Sequence, residues 1–391
     1  MARRGLSGHN RWMGQALLIE RVRSDVAVLA RAGLDVATFL DEVDTSLRRA
    51  VPYSAMCVSL HDPATSMATA TFKFGGISGR ESHDRHWCEV EFGGADATSF
   101  RDLARRGGTA VGMHRETGGD PSRSVRMRDF MSHHFGFTDE LRTVARIGDS
   151  EWGAFAMMRA DAAHPFDDAE IDLMASLSST LAAGIRSGVL ARCAASAPTT
   201  SAGPAVIIVQ GDGTISQANP AATHWLAELA RCDNSGGPIH TLAALIDGAR
   251  RFARGESDWL PRSRVRVPSG TWLVLNCSPL TGPASTGTDV VVTIEEARPP
   301  EIVPLIVAAF ELTPRERDVT HLVLQGVSSK EVAGTLHISV HTVQDHLKSI
   351  FEKADVRSRR ELIARFFFDQ YLPRIGAEIT PSGWFATSDE A

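Results

Sequence analysis

The 391-residue sequence has few cysteines and no long apolar run. Its five cysteines are widely scattered and form no C-x-x-C pair, which is typical of a reducing compartment and gives no support for a structural zinc site. Nowhere do about 18 apolar residues follow one another, as a membrane-spanning helix requires. The apolar stretch near the N-terminus is too short for the core of a signal peptide. We therefore expect a cytoplasmic protein without a membrane span.

The sequence also lacks an excess of positive charge. Its formal net charge is −6, so any binding to nucleic acid must be local to one segment. It contains no G-x-x-x-x-G-K-[ST] phosphate loop, and the front part lacks the acidic cluster of a phosphoacceptor domain. Nothing brings a nucleophile, a base and an orienting group together, so we expect no enzyme and no cofactor.

Two stretches of small residues and prolines divide the chain. "CAASAPTTSAGP" occupies 193–204 and "EEARPPEIVP" occupies 295–304. At about 150 residues per domain, a chain of this length is expected to hold roughly two or three domains. We predict domains at 1–192, 205–296 and 305–370, followed by an irregular tail at 371–391.

The first segment begins with two long helical patterns and ends with another, and short strand patterns lie between them. The strand patterns are "SAMCVSLHD", "MATATFKFG", "WCEVEF", "ELRTVARIG" and "WGAFAMMRA". This α+β order resembles a GAF domain over about residues 35–190. "VPYSAMCVSLHDPAT" is similar to the first helix-to-strand passage of that family, and 136–185 is similar to its last strands and closing helix.

The second segment has strands at both ends and short helices between them. "AVIIVQGDGTISQANPAATHWL" predicts two strands and a helix that begins at Asn219 and Pro220. "RVRVPSGTWLVLNCSPL" and "TDVVVTIEE" predict three further strands. This α+β pattern resembles a PAS domain.

The third segment contains the start and stop signals of four short helices. Thr313 with Glu316, Ser328 with Glu331, and Ser358 with Glu361 have the spacing of capping boxes. Gly326 is placed to end the first helix. The sequence "HIS" leaves only a few residues between the second and third helices, which is the length of a helix-turn-helix connection. We therefore predict an all-α unit that binds DNA.

The third of these helices has two faces. An apolar stripe is predicted at Val340, Val343, Leu347, Ile350 and Phe351. The opposite side carries hydrogen-bonding side chains at His341, Gln344, Asp345 and Lys348. From a major groove, Gln344 can bind adenine bidentately and Lys348 can meet a guanine or a phosphate. Three further arginines either contact phosphates or are solvated: Arg357, Arg359 and Arg360.

The whole segment 311–368 resembles the LuxR-type helix-turn-helix, on the residues "LTPRE", "GVSSKEVAGTL" and "ISVHTVQDHLKSIFEKADVRSRREL". The resemblance implies operator binding as a homodimer, with Lys330 near the DNA backbone and 340–348 in the groove. The predicted DNA-contacting set is Lys330, Ser339, Val340, His341, Thr342, Gln344, Asp345 and Lys348. Gly334 departs from the pattern because glycine weakens a helix by about 0.5–1 kcal/mol relative to alanine.

Two questions stay open at this point. Asp345 either accepts a hydrogen bond from cytosine N4 or repels wrong sites. The polar face could also be merely solvated, because nine basic against eight acidic residues leave 311–368 with a net charge of only +1. The extent of the motif favours DNA binding.

Several other side chains are candidates for metal binding or for lining a ligand cavity. His83, His86 and Cys88 have a spacing that suits a metal, but their charged surroundings favour a solvated loop, and we predict no metal site. Cys57 and Cys277 are expected to be buried. Seven aromatic residues either line a small-molecule cavity or fill the core: Trp87, Phe92, Phe130, Phe135, Phe137, Trp152 and Phe155. The interpretation is a regulator controlled by a small molecule or partner. The alternative is that its front domains serve only for dimerisation or protein interaction.

Overall fold

The computed structural model describes residues 5–92, 96, 98–190, 204–232, 234, 239–281, 288–297, 301, 305, 310, 312–354 and 356–363. The predicted tail at 371–391 lies outside these residues. The predicted domain limits fall partly outside them too, so they stay predictions.

The first sheet unit holds five antiparallel strands. They are Ala55–Asp62 (β1), Met67–Gly75 (β2), Ala110–Gly112 (β3), Asp139–Ile147 (β4) and Ser150–Arg159 (β5). Their order in the sheet is β2-β1-β5-β4-β3. The helices are Gly5–Leu29 (α1), Val36–Leu47 (α2), Asp84–Phe92 (α3), Phe100–Arg105 (α4), Met113–Glu116 (α5), Ser132–Phe135 (α6) and Asp168–Leu190 (α7). Single helical turns occupy Glu81–His83, Pro121–Arg123 and Met127–Met131.

One face of this sheet packs against α1, α2 and α7, because alternate strand residues such as Val58 and Phe155 are apolar and point that way. The helices come very close to each other. A Cβ added to Gly184 of α7 would lie 2.1 Å from the Phe39 ring of α2, so that position has no room for a side chain. Long helical patterns at the start and end of this segment were predicted, and they are confirmed.

One predicted strand is wrong. "WCEVEF" at 87–92 is the second half of α3 and not a strand. Six residues are too few to separate the two periodicities, since Trp87, Cys88 and Glu91 also share one face of a helix. The buried Asp84 at the first position of α3 pairs with the buried Lys73 of β2, and this ion pair fixes the start of the helix on the sheet.

The second sheet unit repeats the strand order of the first. Its strands are Ala205–Val209 (β6), Ile215–Ala218 (β7), Arg262–Arg266 (β8), Trp272–Pro279 (β9) and Val290–Glu296 (β10), in the order β7-β6-β10-β9-β8. Its helices are Pro220–Leu229 (α8) and Ile239–Ala253 (α9). The predicted helix start is confirmed: Asn219 Oδ1 accepts from the backbone N–H of Ala222 at 3.1 Å.

A buried ion pair joins the two sheet units. Arg264 of β8 donates through Nε to Asp62 Oδ2 at 2.8 Å and through Nη2 to Asp62 Oδ1 at 2.5 Å. The backbone N–H of Arg264 also donates to Asp62 at 3.0 Å, and both side chains are buried. A second contact lies farther along the β1–β2 hairpin, where the amide of Asn234 hydrogen-bonds both the N–H and the C=O of Lys73. No motif in the sequence indicates either contact between the sheet units.

The C-terminal helical unit consists of Pro314–Leu324 (α10), Ser329–Leu336 (α11) and Val340–Lys353 (α12), with a further helical turn at 359–363. They enclose one small core that includes Val319, Val332, Val343 and Ile350. Two α+β units and one all-α unit were expected, and this fold class is confirmed.

Among the helices of the described residues, one, α7, is long and apolar enough to be considered as a membrane span. Half of it is buried inside the protein, where it packs on β4 and carries Glu170 in an ion pair with Arg159. These contacts are those of a core helix.

Candidate nucleic-acid interface

The helix starts of the C-terminal helical unit follow the capping signals in the sequence. At α10, Thr313 Oγ1 accepts from the backbone N–H of Glu316, and the Glu316 carboxylate accepts from the backbone N–H of Thr313. Ser328 and Glu331 form the same reciprocal pair at α11. At α12, Ser339 Oγ accepts from the backbone N–H of Thr342 at 3.0 Å. Each cap satisfies backbone donors that a helix end leaves unpaired.

The turns of this unit depend on two left-handed residues. Gly326 follows α10 with a φ of +83°, which glycine adopts without strain. His337 follows α11 with a φ of 54°, a conformation uncommon for a residue with a side chain. This single residue reverses the chain and lets α12 begin three positions later.

The inner face of α12 is held by apolar packing and by one carboxylate of α10. Val343, Leu347 and Ile350 are buried. Glu316 of α10 accepts from Ser349 Oγ and from Lys353 Nζ of α12, each at 2.6 Å. Burial alone would raise the pKa of Glu316, but the hydrogen bonds from Lys353, Ser349 and Thr313 outweigh it and lower this pKa to about 2. The carboxylate is therefore ionised and fixes the orientation of α12.

The outer face of α12 is open to solvent. His341, Gln344, Asp345 and Lys348 are all exposed, as their spacing predicted. Ser339 is exposed as well, Thr342 is half-buried, and Lys330 projects into solvent from α11. These residues present donors and acceptors on a helix that cannot rotate.

Val340 differs from the expected apolar stripe. It is 41% exposed, while Val343 and Leu347 of the same stripe are buried. Val340 is the first residue of α12, and the described residues leave its side chain largely uncovered. The apolar side chain therefore lies on the same open surface as the polar groups.

Two features of this surface were not predicted. His341 Nε2 lies 3.9 Å from Asp345 Oδ2, one helical turn away, so a protonated His341 would partly offset the charge of Asp345. Arg359 donates to the backbone carbonyl of Val323 at 3.5 Å and to that of Val327. Arg359 is therefore engaged at the end of α10, whereas Arg357 and Arg360 are exposed.

Gly334 sits inside α11 with an ordinary helical backbone. An added Cβ would meet nothing within 4 Å. The glycine is therefore not required by packing against the described residues.

The histidines with a metal-like spacing lie in the first sheet unit. His83 and His86 pack beside the His134 ring, at centroid distances of 4.8 and 5.5 Å. Within the described part of the chain, no group of three or more His, Cys, Asp or Glu side chains is arranged to hold a metal ion.

Most of the aromatic residues that were expected either to line a cavity or to fill the core are core residues. Trp152 and Phe155 belong to the core under α7, and Phe130 and Phe137 belong to a core on the opposite face of the sheet. Trp87 does face a cavity. The side chain of Phe92 lies outside the described residues. Cys277 is buried as expected, but Cys57 is only half-buried and faces the same cavity.

A short helix, a tight left-handed turn and a second helix with an exposed polar face define a helix-turn-helix unit. Residues 311–366 match the family model described as bacterial regulatory proteins, luxR family. The C-terminal part of this chain is therefore a LuxR-type helix-turn-helix domain.

Curated relatives match this same segment. The monoamine regulon transcriptional regulator of Klebsiella aerogenes is 44% identical over 54 residues, which make up 14% of this chain and 24% of that protein. The nitrate/nitrite response regulator protein NarP of Escherichia coli is 48% identical over 48 residues, which make up 12% of this chain and 22% of that protein. The chain thus spans less than a quarter of the length of these relatives.

Solved structures cover a larger share of the chain at lower identity. The VqmA dimer of Vibrio cholerae, reported among LuxR-type receptors, is 16% identical with a TM-score of 0.21, covering 42% of this chain and 82% of that one. The GAF domain of a phosphoenolpyruvate-protein phosphotransferase from Coxiella burnetii is 14% identical with a TM-score of 0.29, covering 44% of this chain and 94% of that one.

Proposed function

We propose that this protein is a sequence-specific, DNA-binding transcription regulator that places α12 in the major groove. The observation that carries the proposal is the exposed polar face of α12, which Glu316 holds in one orientation within a LuxR-type domain. A surface that is merely solvated does not need such a fixed orientation, whereas base recognition does.

The predicted contacts receive distinct roles in this proposal. Gln344 reads a base edge, and Lys348 meets a guanine or a phosphate. Lys330 contacts the DNA backbone, and Val340 at the start of α12 can lie against a thymine methyl in the groove. The test is a genome-wide map of binding sites followed by footprinting on a recovered operator. Protection of no specific sequence would contradict the proposal.

The single substitutions Gln344→Ala and Lys348→Ala should have effects of different kinds. Gln344→Ala should cost about 1–3 kcal/mol at the operator and relax the preference at one base position. Lys348→Ala, if Lys348 meets phosphate, should weaken binding to all sequences alike and reduce the salt slope by about 1. Fluorescence anisotropy at several salt concentrations measures both effects. Unchanged affinity in both variants, with helicity intact, would mean that this face is only solvated.

Asp345→Asn should separate the two roles that are open to this carboxylate. If Asp345 accepts from cytosine N4, the variant loses discrimination at that position while its affinity for unrelated DNA rises. If Asp345 repels wrong sites, specific and nonspecific affinities rise together. Both affinities are measured at one salt concentration. His341→Ala is a useful companion, because it removes the neighbour 3.9 Å from the carboxylate.

We also propose domains at 1–192, 205–296 and 305–370, and control by a small molecule that acts on the sheet units. We further propose that the protein acts as a dimer. Support for the dimer comes from α1, where Leu17 and Val28 are 66% and 65% exposed. They stand three helical turns apart on one face. A face with exposed apolar side chains is a candidate for burial against a second copy.

Leu17→Glu combined with Val28→Glu is expected to yield a monomer, because the two carboxylates would be desolvated in such an interface. Light scattering on the full chain measures the mass of parent and variant. A parent that is already monomeric at tens of micromolar, or a variant that stays dimeric, would remove α1 from the interface.

A further inference from the structure

A cavity of about 850 Å³ lies between the two sheet units. Its floor is the face of the first sheet that points away from α7, formed by β1, β2 and β5. Its walls include α3 and α4, and part of its rim comes from α9 and from residues 256–261 of the second sheet unit. The size is that of a site for a small organic molecule.

Small side chains on the sheet leave this space open. Cys57 of β1 lies beside Ala156 of β5, and Ser59 lies beside Ala154. All four line the cavity. The intervening residues on β1 and β5, such as Val58 and Phe155, are large and fill the opposite core. The two strands therefore carry large residues on one face and small ones on the other, which places a void on the small-residue side.

Two buried polar groups of the cavity wall have unused hydrogen-bonding capacity. The Arg126 side chain is 1% exposed, and its Nη1 donates to Glu140. Its Nη2 has no hydrogen-bond partner among the described residues. His61 Nδ1 is also without a hydrogen bond. Burial lowers the pKa of His61 to about 4, so this imidazole is neutral. A buried donor without an acceptor is costly, and a ligand acceptor would relieve that cost.

Carboxylates already offset the positive charge around Arg126. Arg126 and Arg142 face Glu91 and Glu140, and Glu91 bridges the two arginines at 3.3 and 2.5 Å. An anionic ligand at Arg126 would add a buried negative charge beside two carboxylates, which is unfavourable. A neutral acceptor fits this balance, because it satisfies Nη2 and adds no charge.

The second sheet unit supplies one helix face to this cavity. Ala244, Gly248 and Arg251 of α9 follow one another at spacings of four and three residues, so they share a side of the helix. The buried pair of Asp62 and Arg264 joins the two sheet units nearby along β1. A molecule in the cavity would therefore touch both units at once.

We propose that this cavity binds a compact, neutral organic molecule through a carbonyl or amide oxygen that accepts a hydrogen bond from Arg126 Nη2. The occupant contacts both sheet units, so its binding favours their present arrangement over any in which α9 has moved away. The binding is inferred from the cavity alone, whereas the use of the bound molecule as a signal rests on the proposed function.

The test compares neutral amides with acids of the same shape on the full-length protein. Nicotinamide and 2-pyridone are the neutral probes, and nicotinate and benzoate are the acids. Ligand-observed saturation-transfer NMR detects weak binding of each. Ser59→Leu fills the cavity floor, and Ser59→Ala is the matched control that keeps the space. We expect the amides to bind to the parent and to Ser59→Ala. Their affinity for Ser59→Leu should be lower by a factor of about ten or more.

Three results would overturn the proposal. The acids could bind better than the amides, the amides could bind to neither the parent nor the variants, or the affinity for the amides could be the same in Ser59→Leu as in the parent. Circular dichroism verifies that Ser59→Leu is folded, and Cys57→Leu provides a second filling variant on the same floor. Operator binding is measured separately. A protein that binds no specific DNA but shows amide binding sensitive to Ser59→Leu would contradict the proposed function and leave the cavity site in place.

Discussion

Asp62→Ala is expected to lower the free energy of unfolding by about 3–5 kcal/mol, because it leaves the buried Arg264 guanidinium without its counter-ion. The same carboxylate accepts a hydrogen bond from the backbone N–H of Arg264, so the variant also leaves this buried N–H without an acceptor. Urea unfolding followed by tryptophan fluorescence measures the change. The first and second sheet units are expected to lose their joint transition in this variant and to unfold separately.

Asp129→Ala is the matched control for this experiment. Arg128 binds Asp129 through Nε and Nη2 at 2.6 and 2.8 Å, a geometry much like that of Arg264 on Asp62, but both side chains are exposed. Its removal should leave the unfolding curve unchanged. Asp62→Ala combined with Arg264→Met removes both buried charges and should recover part of the loss. A double variant that is no better than Asp62→Ala alone would show that an unpaired charge is not the cause.

Glu316→Ala is expected to destabilise the C-terminal helical unit by about 3 kcal/mol, since it removes a helix cap and two hydrogen bonds to α12. Hydrogen exchange of peptides from α12 reports the local loss of protection. Glu331→Ala is the control, because Glu331 completes the same capping box at α11 but is exposed, and within the described residues its carboxylate hydrogen-bonds Ser328 of the cap and not α12. Equal effects of the two variants would mean that the link to α12 contributes nothing.

The pH dependence of this unit follows from the same carboxylate. The pKa of Glu316 is about 2 in the folded protein and near 4.5 when the chain is unfolded. Its contribution is therefore complete above about pH 4.5 and is lost as the pH falls toward 2. Unfolding of the parent and of Glu316→Gln, compared between these limits, should show a steeper loss in the parent. Parallel curves would contradict the low pKa.

The C-terminal helical unit was largely predictable because its signals are local. Caps such as Thr313 with Glu316 lie three residues apart, and the buried positions Val343 and Leu347 recur at helical spacing. Val340 was misplaced, since periodicity does not tell where the covering partner ends. Arg359 was left open because its acceptors lie 32 and 36 residues away in the chain.

The first and second sheet units were predictable in their element order but not in their contacts. Asp62 and Arg264 are 202 residues apart, and neither stands in a motif. Lining a cavity was only one of two possibilities for the aromatic side chains, and small residues such as Ser59 and Ala154 form the cavity floor. A void is the absence of side-chain volume, and a sequence shows it only once the pairing of strands is known.

The bond between Asp62 and Arg264 also defines what can be transplanted. A chimaera that is cut at 193–204 would contain the first sheet unit alone. Asp62 would then lack its partner Arg264, and the cavity would lack the part of its rim that α9 forms. A cut beyond β10 would carry both sheets, the ion pair and α9 together. The unit that can be moved to another protein is therefore the pair of sheets, and an engineer should treat its two halves as inseparable.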